Sequence, residues 1–204
     1  MKSCSNLNIS SSGTETMTTL IRPTWLWAMS FKATFLSCIL LAASVQAGKY
    51  PTADEAVRQI FPKAVSFGRE TRLLTQTQQQ AVADLSAQKD ITALVTRYAV
   101  YSESGTLGYA YLDKHMVRTL PETLMVAVDT DRKLVGIRVL AFREPAEYIA
   151  RDGWLEQFLG KTVKDEIRMK KNIDGITGAT LTSRAVTQCA RRTLAIHQVL
   201  EQQD

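Results

Sequence analysis

The chain has 204 residues, of which 45% are hydrophobic and 22% are charged. This is an ordinary globular composition, and it excludes a collagen-like chain, a wholly disordered chain and a small disulfide scaffold. Lysine and arginine number 25 against 20 acidic residues, so the formal net charge is +5. A basic balance often indicates nucleic-acid binding, but part of this excess lies in the N-terminal segment.

The first 47 residues have the pattern of an export signal. Lys32 precedes an apolar run over residues 33–45, and Val45-Gln46-Ala47 has the small-x-small form of a cleavage site. The run is shorter than the roughly 20 residues that a membrane span needs. We therefore predict a signal peptide over residues 1–47; without cleavage the segment would be an N-terminal anchor. Met29 begins a compact basic segment and is an alternative start of the protein.

Removal of the signal peptide changes what charge and cysteine content imply. It takes away three basic residues and one acidic residue, lowers the net charge to +3, and leaves no reason to predict a nucleic-acid partner. Of the three cysteines only Cys189 remains, so no intramolecular disulfide is expected. His115 and His197 lack metal-ligand spacing, so no protein-ligated metal is predicted.

Two helices are predicted at the start of the exported chain. Thr52 and Glu55 have the spacing of a capping box, and the apolar face that follows is ended by Pro62. A Gln-rich and weakly amphipathic stretch over about residues 75–86 is predicted to be a surface helix.

The hydrophobic period then changes to that of strands. Residues 92–101 and 105–113 are rich in β-branched and aromatic residues and flank a Ser-Glu-Ser-Gly turn. Residues 123–128 and 134–142 flank a second polar turn. These segments predict two hairpins, and thus about four antiparallel strands.

Two further helices complete the predicted fold. Residues 153–159 form a short helix ended by Gly160, and residues 183–201 form a long one. The apolar face of the long helix contains Val186, Cys189, Ala190, Leu194 and His197. The predicted class is α+β, with one antiparallel sheet packed with helices and a glycine loop that leads into the C-terminal helix.

The glycine loop before the last helix, DGITGATLTSR over residues 174–184, carries four closely spaced hydroxyls. Peptide N–H groups at a helix start lack partners and the helix dipole is positive there, so a phosphate is stabilised. Gly178 lets the backbone approach a ligand closely, and Arg184 adds a positive charge. The simpler interpretation is a loop in which Thr182 or Ser183 caps the helix.

The wider pattern Asp174-x-x-Thr177-Gly178-Ala179-Thr180-x-Thr182-Ser183 resembles the flavinylation motif of the FMN-binding domain family. That family includes the FMN-carrying subunits of Rnf-type and sodium-pumping NADH:quinone reductase complexes, and stand-alone exported proteins. Its members carry FMN through a phosphoester on the last threonine of the motif core, so the resemblance implies attachment at Thr180. It also implies cofactor contacts for the other motif residues, Asp174, Thr177, Gly178, Ala179, Leu181, Thr182 and Ser183.

Upstream segments between about residues 108 and 194 resemble the family in the same order. Residues 127–129 with 133–137 are similar to its hairpin, Glu144-Pro145 to its Glu-Thr-Pro loop, and Trp154-x-x-x-Phe158-x-Gly160-Lys161 to the helix before the motif. The resemblance implies that Glu144 and Trp154 approach the isoalloxazine ring. A glutamate before proline is equally an ordinary strand-end residue, and a tryptophan spaced with Phe158 is more often part of a core.

The resemblance also implies a domain organisation and a function. The signal peptide is followed by an N-terminal part with helices and the first strand (48–106) and by the FMN-binding core (107–204). The implied protein is exported to the periplasm or the outer face of the cytoplasmic membrane, where it relays electrons between membrane or periplasmic redox partners. An exported flavin transferase that uses FAD and a divalent metal would attach the FMN.

Two other functions stay open at the level of the sequence. One is a flavin-dependent periplasmic reductase with its own substrate. The other is a cofactor-free envelope interaction module in which the loop only caps a helix. No acid/base pair or nucleophilic triad is visible in the sequence, which favours an electron carrier over an enzyme.

Overall fold

The computed structural model describes residues 50–202. The predicted signal peptide, its cleavage site and the alternative start at Met29 lie outside the described residues. The described chain falls within one compact unit. None of the helices in this range is long and apolar enough to cross a bilayer.

The two predicted N-terminal helices are present. Helix α1 spans Ala53–Ile60 and begins with the expected capping box, in which the Glu55 carboxylate accepts the Thr52 N–H at 2.8 Å. Helix α2 spans Gln76–Ser86 and has a second capping box between Thr75 and Gln78. Each box satisfies two N–H groups that a helix start otherwise leaves unpaired.

One antiparallel sheet of five strands organises the molecule, in the order β1-β2-β3-β4-β5. The strands are β1 (Ser66–Leu73), β2 (Leu94–Ser102), β3 (Gly105–Met116), β4 (Pro121–Asp129) and β5 (Leu134–Phe142). The α+β class is confirmed, and the predicted count of about four strands is one too low. The predicted boundary at residue 107 lies inside β3, and strands from both sides of it share the sheet; the division into an N-terminal part and a core stays a prediction.

The strand that the sequence pattern missed is β1, an edge strand. All of its residues are exposed or half-buried, and it contains Gly68 and several charged side chains. It therefore lacks the alternation of apolar and polar residues that marks a half-buried strand. Its conformation comes from pairing with β2, which runs from Ser66 opposite Tyr101 to Leu73 opposite Leu94. Charged residues on such an edge also discourage pairing with another chain.

The two faces of the sheet are covered by different helices. Helix α1 packs on one face, where Val57 and Phe61 join Val100 and Met125 in a small cluster. A β-carbon at Gly136 would lie 2.7 Å from a side-chain carbon of Ile60, so glycine lets α1 approach β5 closely. The opposite face carries the larger core beneath α2 and the C-terminal helix.

The last two helices complete the larger core. Helix α3 spans Asp152–Leu155 and continues into a 3-10 turn at Glu156–Phe158, close to the predicted helix. Helix α4 spans Thr180–Leu200 and therefore begins three residues before the predicted start at Ser183. The predicted apolar face of α4 is confirmed, because all of its members, Val186, Cys189, Ala190, Leu194 and His197, are buried.

Candidate functional site

Three segments of the chain meet at one end of the sheet. The four-residue turn between β3 and β4 lies there because Met116 pairs with Pro121. The residues after β5 lie at the same end because Glu122 pairs with Phe142. The glycine loop brings the start of α4 to them.

A cleft of about 210 Å³ lies between these three segments. The turn contributes Val117 and Arg118, and the segment after β5 contributes Glu144 and Tyr148. The glycine loop and the first turn of α4 contribute the residues from Gly178 to Thr182. The lining thus combines an apolar wall, two charged groups and a helix N-terminus.

The start of α4 presents Thr180 to the cleft. The helix has no side-chain cap, its N-cap residue is Ala179, and Thr180 is its first residue. The Thr180 side chain is exposed, whereas Thr182 and Ser183 are buried in the first turn. The alternative in which Thr182 or Ser183 caps the helix is therefore wrong.

Ser183 holds the glycine loop against the helix. Its hydroxyl accepts the Ile176 N–H at 2.9 Å and donates to the Ala179 carbonyl at 3.1 Å. Gly178 lies between these two residues with a φ of +80°, a conformation that glycine adopts without steric cost. The hydroxyl of Ser183 thus fixes the path of the loop and does not face the cleft.

Helix α3 holds the other end of the loop. The Trp154 indole N–H donates to the Asp174 carbonyl at 2.9 Å, and the Asp174 N–H donates to the Gln157 side chain at 2.8 Å. The Trp154 ring packs edge-on against Phe158 at 5.3 Å and does not line the cleft. Asp174 is exposed, and its carboxylate makes no hydrogen bond or ion pair with the described residues 50–202.

Glu144 lines the cleft, but its carboxylate is already engaged by the β3–β4 turn. The Thr119 and Leu120 N–H groups both donate to its Oε1 at 2.8 Å. These backbone hydrogen bonds, with a further contribution from the Arg118 N–H, lower the pKa of Glu144 below its ordinary value. The resemblance implied that Glu144 approaches the flavin ring, with an ordinary strand-end residue as the alternative; the contacts within the described chain fix the turn, and the approach to the ring stays a prediction.

The cleft gathers only part of the predicted set. It brings together Gly178, Ala179, Thr180, Leu181, Thr182 and Glu144, but not Asp174, Thr177, Ser183 or Trp154. Val117, Arg118 and Tyr148 line it without having been predicted. The pairing of the strands brings these residues together. The sequence pattern ended one predicted strand at residue 113 and began the next at 123, so it did not place the turn between them.

The residues present fit an FMN group. The unpaired N–H groups of the first turn of α4, together with the positive end of the helix dipole, suit a phosphate. Val117, Tyr148 and Leu181 provide apolar surface for a planar ring, and the last two are 36% and 43% exposed. Pockets for cofactors typically combine such apolar walls with a few polar groups.

A second cluster lies between β3 and α4, away from the cleft. Ligand atoms of Asp113, His115 and Cys189 lie within 4.8 Å of one another. However, the two ring nitrogens of His115 face Asp113 at 2.8 Å and Glu122 at 3.1 Å, and Arg192 donates to both oxygens of Asp113. Despite its burial, hydrogen bonds raise the pKa of His115 and favour its charged form, so two cations and two carboxylates share these contacts, and the arrangement is a half-buried ion-pair network. The sequence did not predict this proximity.

Comparison with known proteins gives two findings. Residues 120–195 match the FMN-binding domain, a range that contains Glu144, Trp154 and Thr180. The chain is also 23% identical over 190 residues to one of the subunits of the Na(+)-translocating ferredoxin:NAD(+) oxidoreductase complex of Acetobacterium woodii, an alignment that covers 85% of this chain and 87% of that protein. Both findings therefore support the FMN-binding domain family that the motif around Thr180 predicted.

Proposed function

We propose that this protein is an exported electron-transfer flavoprotein that carries FMN through a phosphoester bond to Thr180. The observation that supports this most directly is the position of the hydroxyl groups. Thr180 is exposed and lines the cleft, Thr182 lines it but is only 1% exposed, and Thr177 is exposed but outside the lining. Thr180 is thus the one motif threonine among the described residues that a modifying enzyme can reach at the cleft.

The attachment needs an enzyme, because an unassisted threonine hydroxyl is a weak nucleophile. In the proposed reaction, an exported flavin transferase with a divalent metal uses FAD as the donor. Thr180 Oγ1 forms a bond to the phosphorus of the FMN half, the hydroxyl proton goes to a base of the transferase, and the bond to AMP breaks. The exposed Asp174 carboxylate is available for recognition by that enzyme.

The first turn of α4 favours the product of this reaction. The phosphodiester that links FMN to Thr180 retains one negative charge. The N–H groups of residues 180–182 have no helical acceptors, and the dipole of a 21-residue helix places positive potential there. The ester is therefore stabilised at the position where it forms.

The proposed role is to relay electrons. FMN supplies the redox chemistry when bound, and the protein supplies its position and electrostatic surroundings. The relative from Acetobacterium woodii is by name part of a Na(+)-translocating oxidoreductase complex, which supports membrane redox partners for this chain. The export signal predicted over residues 1–47 supports a periplasmic or outer-face location.

The test is coexpression with an exported flavin transferase, followed by intact mass and acid precipitation. We expect the wild-type protein to gain the mass of one FMN phosphoester and to keep its yellow fluorescence in the precipitate. T180A is expected to be colourless, and T180S to retain flavin because it keeps a hydroxyl at the same position.

The matched control is T177A, which removes an exposed hydroxyl three residues away that does not line the cleft. We expect T177A to gain the FMN phosphoester at Thr180. A lower yield of this product would indicate that the transferase contacts residue 177. Flavin released by acid from the wild-type protein, or FMN retained covalently by T180A, would contradict the proposal.

A further inference from the structure

We propose that Arg118 is the residue that sets the reduction potential of the flavin, and that Glu144 is the positioning residue that holds Arg118 at the cleft. This inference rests on the proposed function. Arg118 lies just before residues 120–195, the range that matches the FMN-binding domain, and Glu144 lies within it. The inference follows from the charges of the cleft and from the hydrogen bonds of the β3–β4 turn.

Two of the described residues that line the cleft are charged, Arg118 and Glu144. Their charges are not equally available to a ligand. The Glu144 carboxylate is taken up by the Thr119 and Leu120 N–H groups. The exposed Arg118 side chain makes no hydrogen bond or ion pair with any other residue in the range 50–202. The available charge beside a bound ring is therefore the Arg118 guanidinium.

The position of this guanidinium depends on Glu144. The turn from residue 117 to 120 closes through one backbone hydrogen bond, from the Val117 N–H to the Leu120 carbonyl at 3.1 Å. The Thr119 and Leu120 N–H groups point towards the segment after β5, where the Glu144 carboxylate accepts both of them. One carboxylate thus ties the turn to the opposite wall of the cleft and fixes the backbone that carries Arg118.

A cation at this position favours the reduced flavin. Reduction adds two electrons from a donor protein and one proton from solvent, so the ring gains one negative charge at neutral pH. The oxidised ring is neutral, and Arg118 therefore stabilises the reduced state more than the oxidised state. The Arg118 charge accordingly raises the potential, and because the side chain is exposed, salt weakens the effect.

If Arg118 and Glu144 act independently, their removal shifts the reduction potential in opposite directions. Removing a nearby cation lowers the potential of a flavin, and removing a nearby anion raises it. If Glu144 acts by holding Arg118, removing Glu144 lowers the potential even though an anion is lost. The sign of the E144A shift therefore distinguishes positioning from a direct electrostatic effect.

The experiment is reductive titration of the flavinylated protein and its variants against a reference dye, with FMN content fixed by intact mass. R118Q is expected to lower the ratio of reduced to oxidised flavin about tenfold at a given potential, which is ~30 mV for two electrons. R118K, which keeps the charge, is expected to recover most of this difference. The gap between wild type and R118Q is expected to narrow at high salt.

Glu144 is tested in the same titration. E144A is expected to lower the potential, and E144A/R118Q to lower it no further than R118Q alone. E144Q keeps a carbonyl oxygen that accepts the turn N–H groups, so its potential is expected to stay at or above the wild-type value. Hydrogen exchange gives a readout without flavin: the Thr119 and Leu120 amides are expected to exchange faster in E144A than in E144Q.

The outcomes separate this inference from the proposed function. An R118Q protein with full FMN content and an unchanged potential would overturn the role of Arg118. A rise in potential for E144A, or unchanged exchange at Thr119 and Leu120, would overturn the positioning role of Glu144. A wild-type protein that takes up no FMN would overturn the proposed function, and the inference with it.

Discussion

The two ends of α4 differ in how they are bound to the rest of the protein. At the N-terminal end, Thr180 and Leu181 are exposed and no side chain caps the helix. At the C-terminal end, Glu201 pairs with the buried Arg97 at 2.9 Å, and His197 Nδ1 lies 2.9 Å from the Tyr111 hydroxyl. The helix is therefore anchored at one end and open at the other.

The two ends of α4 therefore have different roles: one stabilises the fold, and the other is available to a ligand. Between the two ends, the pair of Arg192 and Asp113 ties the middle of α4 to β3. The helix is held at its middle and its far end, and Ser183 ties its first turn to the glycine loop, so the first turn keeps a defined position while the N–H groups of residues 180–182 stay unpaired. The N–H groups at the open end consequently remain available to a phosphate. Changes at the anchored end should alter unfolding, and changes at the open end should alter cofactor attachment.

The largest effect is expected at the anchored end, from R97M. Arg97 is 1% exposed and contacts Glu70, Glu201 and the Tyr111 hydroxyl, and its guanidinium lies 4.0 Å above the Tyr109 ring. Removing one partner of a buried ion pair costs about 3–5 kcal/mol, and because the Glu70 and Glu201 side chains are 32% and 22% exposed, the loss is expected towards the lower end of this range. We expect R97M to lose stability of this size in urea unfolding at neutral pH.

The control for R97M is R72M on β1. Arg72 is 44% exposed and lies 3.6 Å from Glu70, and an exposed pair of this kind contributes about 0–1 kcal/mol. If R97M and R72M lost the same amount of stability, the buried network would not anchor α4.

The next effect concerns pH and two histidines, His115 on β3 and His197 on α4. Burial alone would lower the pKa of His115, but hydrogen bonds to Asp113, Cys189 and Glu122 raise it to about 11. Burial, then the charges of Arg97 and Arg132, lowers the pKa of His197 to about 4. The two residues should therefore affect the pH dependence of stability in opposite directions.

The sign follows from proton binding in the two states. His115 keeps a proton in the folded state that the unfolded chain loses above its ordinary pKa of about 6.5. Its contribution is complete below about pH 6.5 and declines as pH rises towards 11, by at most about 1.4 kcal/mol per pH unit. His197 stays neutral in the folded state, so its contribution declines as pH falls from about 6.5 towards 4.

Urea unfolding of the wild-type, H115Q and H197Q proteins between pH 4 and 10 tests these signs. The stability difference between wild type and H115Q is expected to shrink above pH 6.5. The difference between wild type and H197Q is expected to shrink below it. A constant difference across the whole range would mean that neither histidine titrates differently in the folded and unfolded states.

At the junction between the anchored helix and the open end, S183A is expected to have an intermediate effect. The substitution leaves the Ile176 N–H without its acceptor and removes the bond to the Ala179 carbonyl. An unsatisfied buried donor costs about 1–3 kcal/mol. We expect S183A to lose stability near the lower end of this range, because the loop residues on both sides of Ile176 are exposed. We also expect a reduced yield of covalent FMN.

The S183A prediction is measured by urea unfolding and by intact mass after coexpression with the transferase. T180A serves as the control, since an exposed first-turn substitution should change stability by no more than about 0.5 kcal/mol. A large stability loss for T180A and none for S183A would reverse the roles assigned to the two hydroxyls.

The same contrast explains how much of the fold the sequence could predict. Buried elements were found because burial imposes a period: the apolar face of α4 and the strands β2 to β5 follow from it. Strand β1 could not be found this way, because its residues are exposed and its conformation depends on β2. The predicted start of α4 was three residues too late because Thr182 and Ser183 are residue types that commonly cap helices. In the structure the Ser183 hydroxyl instead accepts a hydrogen bond from the Ile176 N–H of the glycine loop.

The candidate site was predictable only where it is continuous in sequence. The residues from Gly178 to Thr182 stand in one motif, and the structure brings them into one cleft. Arg118 and Tyr148 reach that cleft through the register of β3, β4 and β5. Antiparallel topology would have indicated their neighbourhood, since the β3–β4 turn and the segment after β5 must lie at the same end of the sheet, but only with the strand ends correctly placed.

The smallest effect is expected from W154F, which tests whether Trp154 belongs to the loop support or to the cofactor site. Phenylalanine keeps the packing against Phe158 and loses the hydrogen bond to the Asp174 carbonyl, at a cost of about 1 kcal/mol. Because Trp154 does not line the cleft, the flavin fluorescence yield should stay unchanged. Y148L is the matched comparison, because Tyr148 lines the cleft and an aromatic side chain beside the ring quenches fluorescence. A rise in flavin fluorescence for W154F and none for Y148L would contradict this assignment and indicate that the flavin ring lies beside α3.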